Sequence, residues 1–262
     1  MKSVLIYTVH KAASMFLHKL TIDVAKEFKI PYYSINNNKY FDTIKQLSWN
    51  TFIEDKSKQG CFGPIRIGST EKIFPEDLSQ YSILLHLRDP RDVLTSLFFS
   101  HTFSHAKRKG GFNPDDNLRK EWEEKGIDRF VIENLPAYKE RYETLISTLL
   151  DRPNVKLIRY EEMVLNYPEW LSGFLSAFSH IDVPQRKILG LIDSPNSFSQ
   201  INHRLSDKYQ NEFTIPQSED IYRHKRQITP GDHQDKLKPE TIEILNHEFD
   251  RILELLSYKQ IK

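Results

Sequence analysis

The sequence predicts an α/β fold, a central parallel sheet flanked by helices in one domain spanning 1–262, and three observations carry that expectation. Val4–Val9 is rich in β-branched and aromatic residues, as a strand buried on both faces requires; Ser82–Leu87 is a second apolar strand and Val155–Tyr160 a third. Each is followed by apolar positions at helical spacing, so strand, loop and helix recur in the order that parallel crossover units need. Finally, 262 residues with 39% hydrophobic content can bury one sizeable core, and the sequence contains no internal repeat, low-complexity segment or interdomain linker.

Taken in order, Val4–Val9 gives the first strand, and Ala12 to Phe28 carries Phe16, Leu17, Leu20, Val24 and Phe28 at the spacing of a helix. Ser82–Leu87 gives a second strand, Arg88-Asp89-Pro90 a turn, and Val93, Leu94, Leu97 and Phe98 a second helix. Asp89 is placed to cap that helix and Pro90 suits its first position. A helix from about Leu135 to Leu150 leads into the third strand, and another around Trp170 to Phe178 follows it. The stretch from His101 to Ile127 is polar, basic in its first part and broken at Gly110-Gly111, and reads as a mobile excursion or a lid. A second irregular stretch is expected from about Asp193 to Gly231.

Lys plus Arg (37) nearly balances Asp plus Glu (36), so no global field exists to drive nucleic-acid or anionic-membrane binding. Any anion site is local. No run approaches the roughly 18 apolar residues of a membrane span, and the run after Met1-Lys2-Ser3 is too short for a signal segment. A single cysteine, Cys61, excludes an intramolecular disulfide framework and fits a reducing compartment, so a cytoplasmic location is expected.

Two junctions carry chemistry. His10-Lys11-Ala12-Ala13-Ser14-Met15-Phe16-Leu17 lies where a buried strand turns into a helix, whose first N–H groups and dipole favour an anion while Lys11 adds a positive charge. The small side chains of Ala12, Ala13 and Ser14 admit a phosphate close to the backbone. An ordinary turn with a solvated lysine is the alternative, and the nucleotide-triphosphate signature G-x-x-x-x-G-K-[ST] is absent. At the second junction, Arg88 stands at a strand's carboxyl end, where it can bind phosphate through two parallel N–H bonds. Ser96, about two helical turns on, can add a hydroxyl donor. The alternative is that Arg88, Asp89, Arg91 and Asp92 form a surface charge cluster.

Together the junctions resemble those of the PAPS-dependent sulfotransferases, PAPS being 3'-phosphoadenosine 5'-phosphosulfate. The first is similar to that family's 5'-phosphosulfate loop, P-K-[ST]-G-T-T-W-L: Lys11 and Leu17 agree, while Ala13 stands for the glycine, Ser14 for a threonine and Phe16 for the tryptophan. The second resembles the 3'-phosphate segment R-[ND]-P-[KR]-D-V-x-x-S, matched by Arg88, Asp89, Pro90, Arg91, Asp92, Val93 and Ser96. Tyr160-Glu161-Glu162-Met163 resembles a Y-E-[DE]-[LM] segment whose tyrosine lies against adenine, and Ser197-Phe198 a T-S-F beside the adenine. Arg226 to His233 resembles R-K-G-x-x-G-D-W, retaining Arg226, Gly231 and Asp232.

The resemblance implies the P-loop-kinase-like architecture of that family. PAPS would be the donor and adenosine 3',5'-bisphosphate the product, with no metal required. It implies Lys11, Ala12, Ala13, Ser14, Met15 and Phe16 as the 5' loop, Arg88, Ser96 and Arg226 as 3'-phosphate ligands, and Tyr160, Ser197 and Phe198 beside the adenine. Lys11 would stabilise charge on the leaving oxygen. The family's usual base is a histidine in a T-H-L-P segment before the strand that ends at the Arg88-type arginine, and the resemblance puts Gly68 in that histidine's place. Candidate replacements are Glu71, His101 and His105. The acceptor would be a small molecule, sugar or lipid. Other readings are a nucleotide or small-molecule kinase, which would need Mg²⁺, and a non-catalytic nucleotide-binding protein.

Overall fold

The three apolar runs form strands in the computed structural model, which describes residues 2–34, 39, 43, 48–55, 59–68, 73–104, 116–181, 187, 188, 191, 192, 198–213, 219–222 and 226–258. In chain order the elements are β1 (Val4–Thr8), α1 (Ser14–Phe28), β2 (Tyr32–Tyr33), α2 (Trp49–Glu54), β3 (Cys61–Arg66), β4 (Ser82–Leu87), α3 (Pro90–Phe99), α4 (Asp116–Leu149) and β5 (Val155–Arg159). There follow α5 (Tyr160–Leu165), α6 (Tyr167–Ser176), the hairpin strands β6 (Lys187–Ile188) and β7 (Leu191–Ile192), α7 (Phe198–Tyr209), α8 (Asp232–Lys236), α9 (Pro239–Glu248) and α10 (Asp250–Leu255). Two units divide the chain, Met1–Leu87 with Leu149–Glu212 and Arg88–Thr148 with Phe213–Lys262.

The first unit holds a five-stranded sheet in the order β2-β3-β1-β4-β5, parallel throughout. Val4, Leu5, Ile6 and Tyr7 are fully buried, so β1 is covered on both faces. Burying a Val, Leu or Ile in this way contributes about 1.5–3 kcal/mol per side chain. Helix α1 packs on β3 and α6 on β5, with α7 against α6. The connection leaving β1 runs to one side of the sheet and the one leaving β4 to the other. Their carboxyl ends, level at Thr8 and His86, thus form the crevice position where open α/β sheets bind ligands.

The second unit is helical. Asp89 caps α3 by accepting from the Arg91 N–H at 2.9 Å, and Pro90 opens the helix, both as the sequence indicates. The four charges Arg88, Asp89, Arg91 and Asp92 are 3%, 6%, 2% and 0% exposed, which rules out a surface charge cluster.

Three expectations need correction. The Val4 and Val155 strands end one residue sooner, at Thr8 and Arg159, and Arg159 is itself the N-terminal cap of α5, which Tyr160 opens. The helix expected from about Leu135 begins earlier: α4 starts at Asp116, kinks at Gly126, whose angles (φ 76°, ψ 167°) are not helical, and runs on to Leu149, so the lid segment ends in helix on both sides of that kink; Ser100–Ser104 form a π-turn, and 105–115 lie outside the described residues. Ion pairs Glu121–Lys125 (2.8 Å) and Arg129–Glu133 (2.9 Å) support this polar helix, and buried Arg119 donates to the Thr102 carbonyl at 3.1 Å. The irregular stretch from Asp193 contains α7, whose buried Ile201, Leu205 and Tyr209 recur every four residues. Lys208 and Arg204 tie it to Asp23 and Glu27 of α1 at 2.5 and 2.8 Å.

Candidate functional site

The loop between β1 and α1 is built on backbone geometry. Lys11 has φ 66° and Ala13 φ 53°, ψ 32°, both left-handed, while Ala12 between them is not and is fully buried. Alternating handedness of this kind turns successive N–H groups inward, a concavity suited to an anion. Ala13 therefore adopts the conformation a glycine would take freely. No side chain caps α1 and its first turn carries no acid, so nothing in that turn opposes the positive end of the helix dipole. Ser14 is half-buried, Met15 is 48% exposed, and Phe16 is buried edge-on to Tyr167 and Tyr209 at 6.0 and 5.5 Å.

Beneath this loop, on β4, lies a residue that the sequence reading passed over. His86 is fully buried in register with Thr8, with its ring edge-on to Trp170 at 5.6 Å. Burial pushes its pKa down to about 3, with the Ala12 backbone acting weakly the other way, so the imidazole is neutral. The apolar run Ser82–Leu87 predicted a buried strand there, and nothing in it marked His86 as part of a site. Arg66, at the carboxyl end of β3 and also in register with Thr8, is a second cation at this edge that sequence reading missed. Its position after an apolar run was the available signal.

In the second unit, Arg88 is the first residue after β4. Its carbonyl accepts the Tyr142 hydroxyl at 2.5 Å and its guanidinium lies 3.7 Å from Asp92. Arg91 is consumed structurally, donating to Asp89 at 3.0 and 2.6 Å and to Asn246 at 2.6 Å. Ser96 is half-buried on α3, one turn before Phe99, and the Arg226 guanidinium lies 3.8 Å from the Phe99 ring centroid. Helix α3 thus carries Ser96, follows directly on Arg88, and meets Arg226 through Phe99 at its last turn. Arg226 is also ion-paired to Asp232 and Glu219, and Glu219 accepts from Lys236 at 2.6 Å. Burial would raise the Glu219 pKa, but hydrogen bonds from Lys236 and Arg226 hold it below the usual carboxylate range.

The remaining candidates divide. Tyr160 is buried at the first position of α5. His101 stacks on Trp122 at 5.5 Å and meets Phe130 edge-on at 6.1 Å, a setting that fixes the ring. Glu71, His105 and Ser197 lie outside the described residues, as does the Phe198 side chain. Among the described residues no three His, Cys, Asp or Glu side chains are gathered as a metal ion requires.

A family model described as "Sulfotransferase domain" matches residues 2–257. No curated protein matches the sequence. Among solved structures, mouse sulfotransferase SULT7A1 complexed with PAP shares the fold at a TM-score of 0.58, with 14% identity over 98% of this chain and 90% of that one. Retinol dehydratase in a complex with retinol and PAP aligns at a TM-score of 0.45, with 12% identity over 96% of this chain and 81% of that one.

Proposed function

The chain belongs to the sulfotransferase-domain family, and we propose that it acts as one domain, 1–262, moving a sulfuryl group from PAPS to a hydroxyl or amine of a small-molecule, sugar or lipid acceptor. The observation that carries this reading is the loop after β1, where Lys11 and Ala13 hold left-handed angles ahead of an uncapped helix start. Ala13 stands where the resembling loop has glycine, and its left-handed angles carry a cost in backbone strain that supports a role for the loop. The complex of the mouse sulfotransferase with PAP supports the choice of donor.

In this reading Lys11, Ala12, Ala13, Ser14, Met15 and Phe16 take the 5'-phosphosulfate. Arg88, Ser96 and Arg226 take the 3'-phosphate, and Tyr160, Ser197 and Phe198 lie beside the adenine. An acceptor lone pair forms the new bond to sulfur as the bond from sulfur to the bridging oxygen breaks. The electron pair leaves on adenosine 3',5'-bisphosphate, and the acceptor's proton passes to a base. Lys11 and the loop N–H groups offset the charge that grows on the bridging oxygen, so they favour the transition state over the ground state.

His101, His105 or Glu71 serves as the base. Turnover should fall sharply in one of His101→Ala, His105→Ala and Glu71→Gln; near wild-type turnover in all three would exclude the set. A cytoplasmic setting is supported by Cys61, a buried free thiol, and among the described residues no helix is long and apolar enough to cross a membrane.

The donor test supplies PAPS and ATP, each with and without EDTA. Transfer from PAPS that survives EDTA is expected. Mg²⁺-dependent phosphoryl transfer from ATP would make the protein a kinase, and binding of adenosine 3',5'-bisphosphate without transfer to any acceptor in a broad panel would make it a non-catalytic binder.

A further inference from the structure

The pair Asp92–His233 has no part in the assignments above, yet it links the residues that do. Asp92 lies fully buried on α3, one helical turn after Arg88. Its carboxylate accepts three hydrogen bonds from a single short segment: the Gly231 N–H at 2.8 Å, the His233 N–H at 3.1 Å and the His233 ring Nδ1–H at 2.6 Å. Three donors on one carboxylate fix both the position and the rotation of that segment.

The segment matters because of what it carries. Asp232, between the two backbone donors, grips Arg226, and Arg226 also lies on Phe99 of α3. Asp92 therefore stands between the two arginines, 3.7 Å from the Arg88 guanidinium and hydrogen-bonded to the segment whose Asp232 pairs with Arg226. The charged groups facing the pair are Arg88 from α3 and Arg226 and Asp232 from the segment. Burial would raise the Asp92 pKa, but the His233 hydrogen bond and the Arg88 charge outweigh it and hold the group below the usual carboxylate range. His233 Nε2 is buried with no hydrogen-bond partner among the described residues, so Asp92 is the ring's polar anchor.

We propose that the Asp92–His233 pair is a positioning device for the 3'-phosphate, holding Arg88 and Arg226 at the spacing that lets both guanidinia engage one phosphate. The inference rests on the donor reading above. His233 is a positioning residue, acting through the two arginines. A looser segment would cost affinity only for ligands that carry a 3'-phosphate.

Titration calorimetry with adenosine 3',5'-bisphosphate and adenosine 5'-monophosphate tests this on wild type, His233→Phe and His233→Asn. Phenylalanine keeps the ring and removes the donor, whereas asparagine keeps an N–H near the Nδ1 position. A charge-assisted hydrogen bond of this kind predicts roughly tenfold weaker bisphosphate binding for His233→Phe, with monophosphate binding within about twofold of wild type. His233→Asn should recover most of the loss. Equal weakening of both nucleotides in His233→Phe, no change in either, or His233→Asn as poor as His233→Phe would overturn the proposal. If wild type itself binds the two nucleotides equally, the donor reading fails, and the positioning role fails with it.

Discussion

Replacing Ala13 by glycine should stabilise the protein, and the size of the effect follows from the backbone. At φ 53°, ψ 32° the Ala13 Cβ crowds the following carbonyl, a conflict that costs an L-residue about 1–2 kcal/mol. Glycine removes it but frees the unfolded chain, which returns about 0.4–1 kcal/mol. A net gain of roughly 0.5–1 kcal/mol remains, or about 1–4 °C in Tm for a chain of this size. Urea titration reads the change as a raised midpoint at unchanged slope. Ala13→Val should move the midpoint the other way, because a β-branched side chain fits left-handed angles worse still. Donor KM for Ala13→Gly should stay near wild type, since the loop's shape is retained. A lowered midpoint in Ala13→Gly together with a neutral Ala13→Val would refute a left-handed Ala13 and the anion-binding loop built on it.

Other outcomes are equally checkable. Lys11→Ala should lower kcat by about 10²–10³-fold with a much smaller change in bisphosphate affinity, the mark of an interaction made chiefly in the transition state. His86, whose pKa lies near 3 when folded against 6.5 when free, is protonated first in the unfolded chain. Its contribution is therefore complete above pH about 6.5 and falls toward pH 3 by roughly 1.4 kcal/mol per unit. Urea midpoints between pH 7 and 4.5 should show that slope flattened in His86→Leu; an unchanged slope would place the acid sensitivity elsewhere. Glu219→Gln removes a carboxylate that competes for Arg226 and should tighten bisphosphate binding by about two- to fivefold, the range of a partly exposed ion pair.

What the sequence disclosed tracks how local each signal is. The buried strands stand out because β-branched runs such as Val4–Val9 need no partner to be recognised, and the Asp89 cap and Pro90 start are read within three residues. Helix α7 escaped notice because its buried face is only Ile201, Leu205 and Tyr209 among polar neighbours, held by ion pairs to a helix some 180 residues earlier. The first half of α4 did likewise, its charge pairs counting as polarity rather than as helix support. At the site, Lys11 and Arg88 were legible as cations at strand ends. The left-handed Ala13 was not, since alanine gives no warning of such an angle. Nor was the Asp92–His233 pair, whose members lie 141 residues apart and meet only in the folded chain.

Sulfuryl transfer itself is tested most directly by incubating the protein with sulfur-labelled PAPS and cell extract, then following the label and the nucleotide together. The account predicts label in a new sulfated product, one adenosine 3',5'-bisphosphate released per sulfuryl group moved, and loss of both in Lys11→Ala. Label that stays on the nucleotide, or that leaves only as inorganic sulfate, across extracts rich in hydroxylated metabolites, sugars and lipids would contradict it.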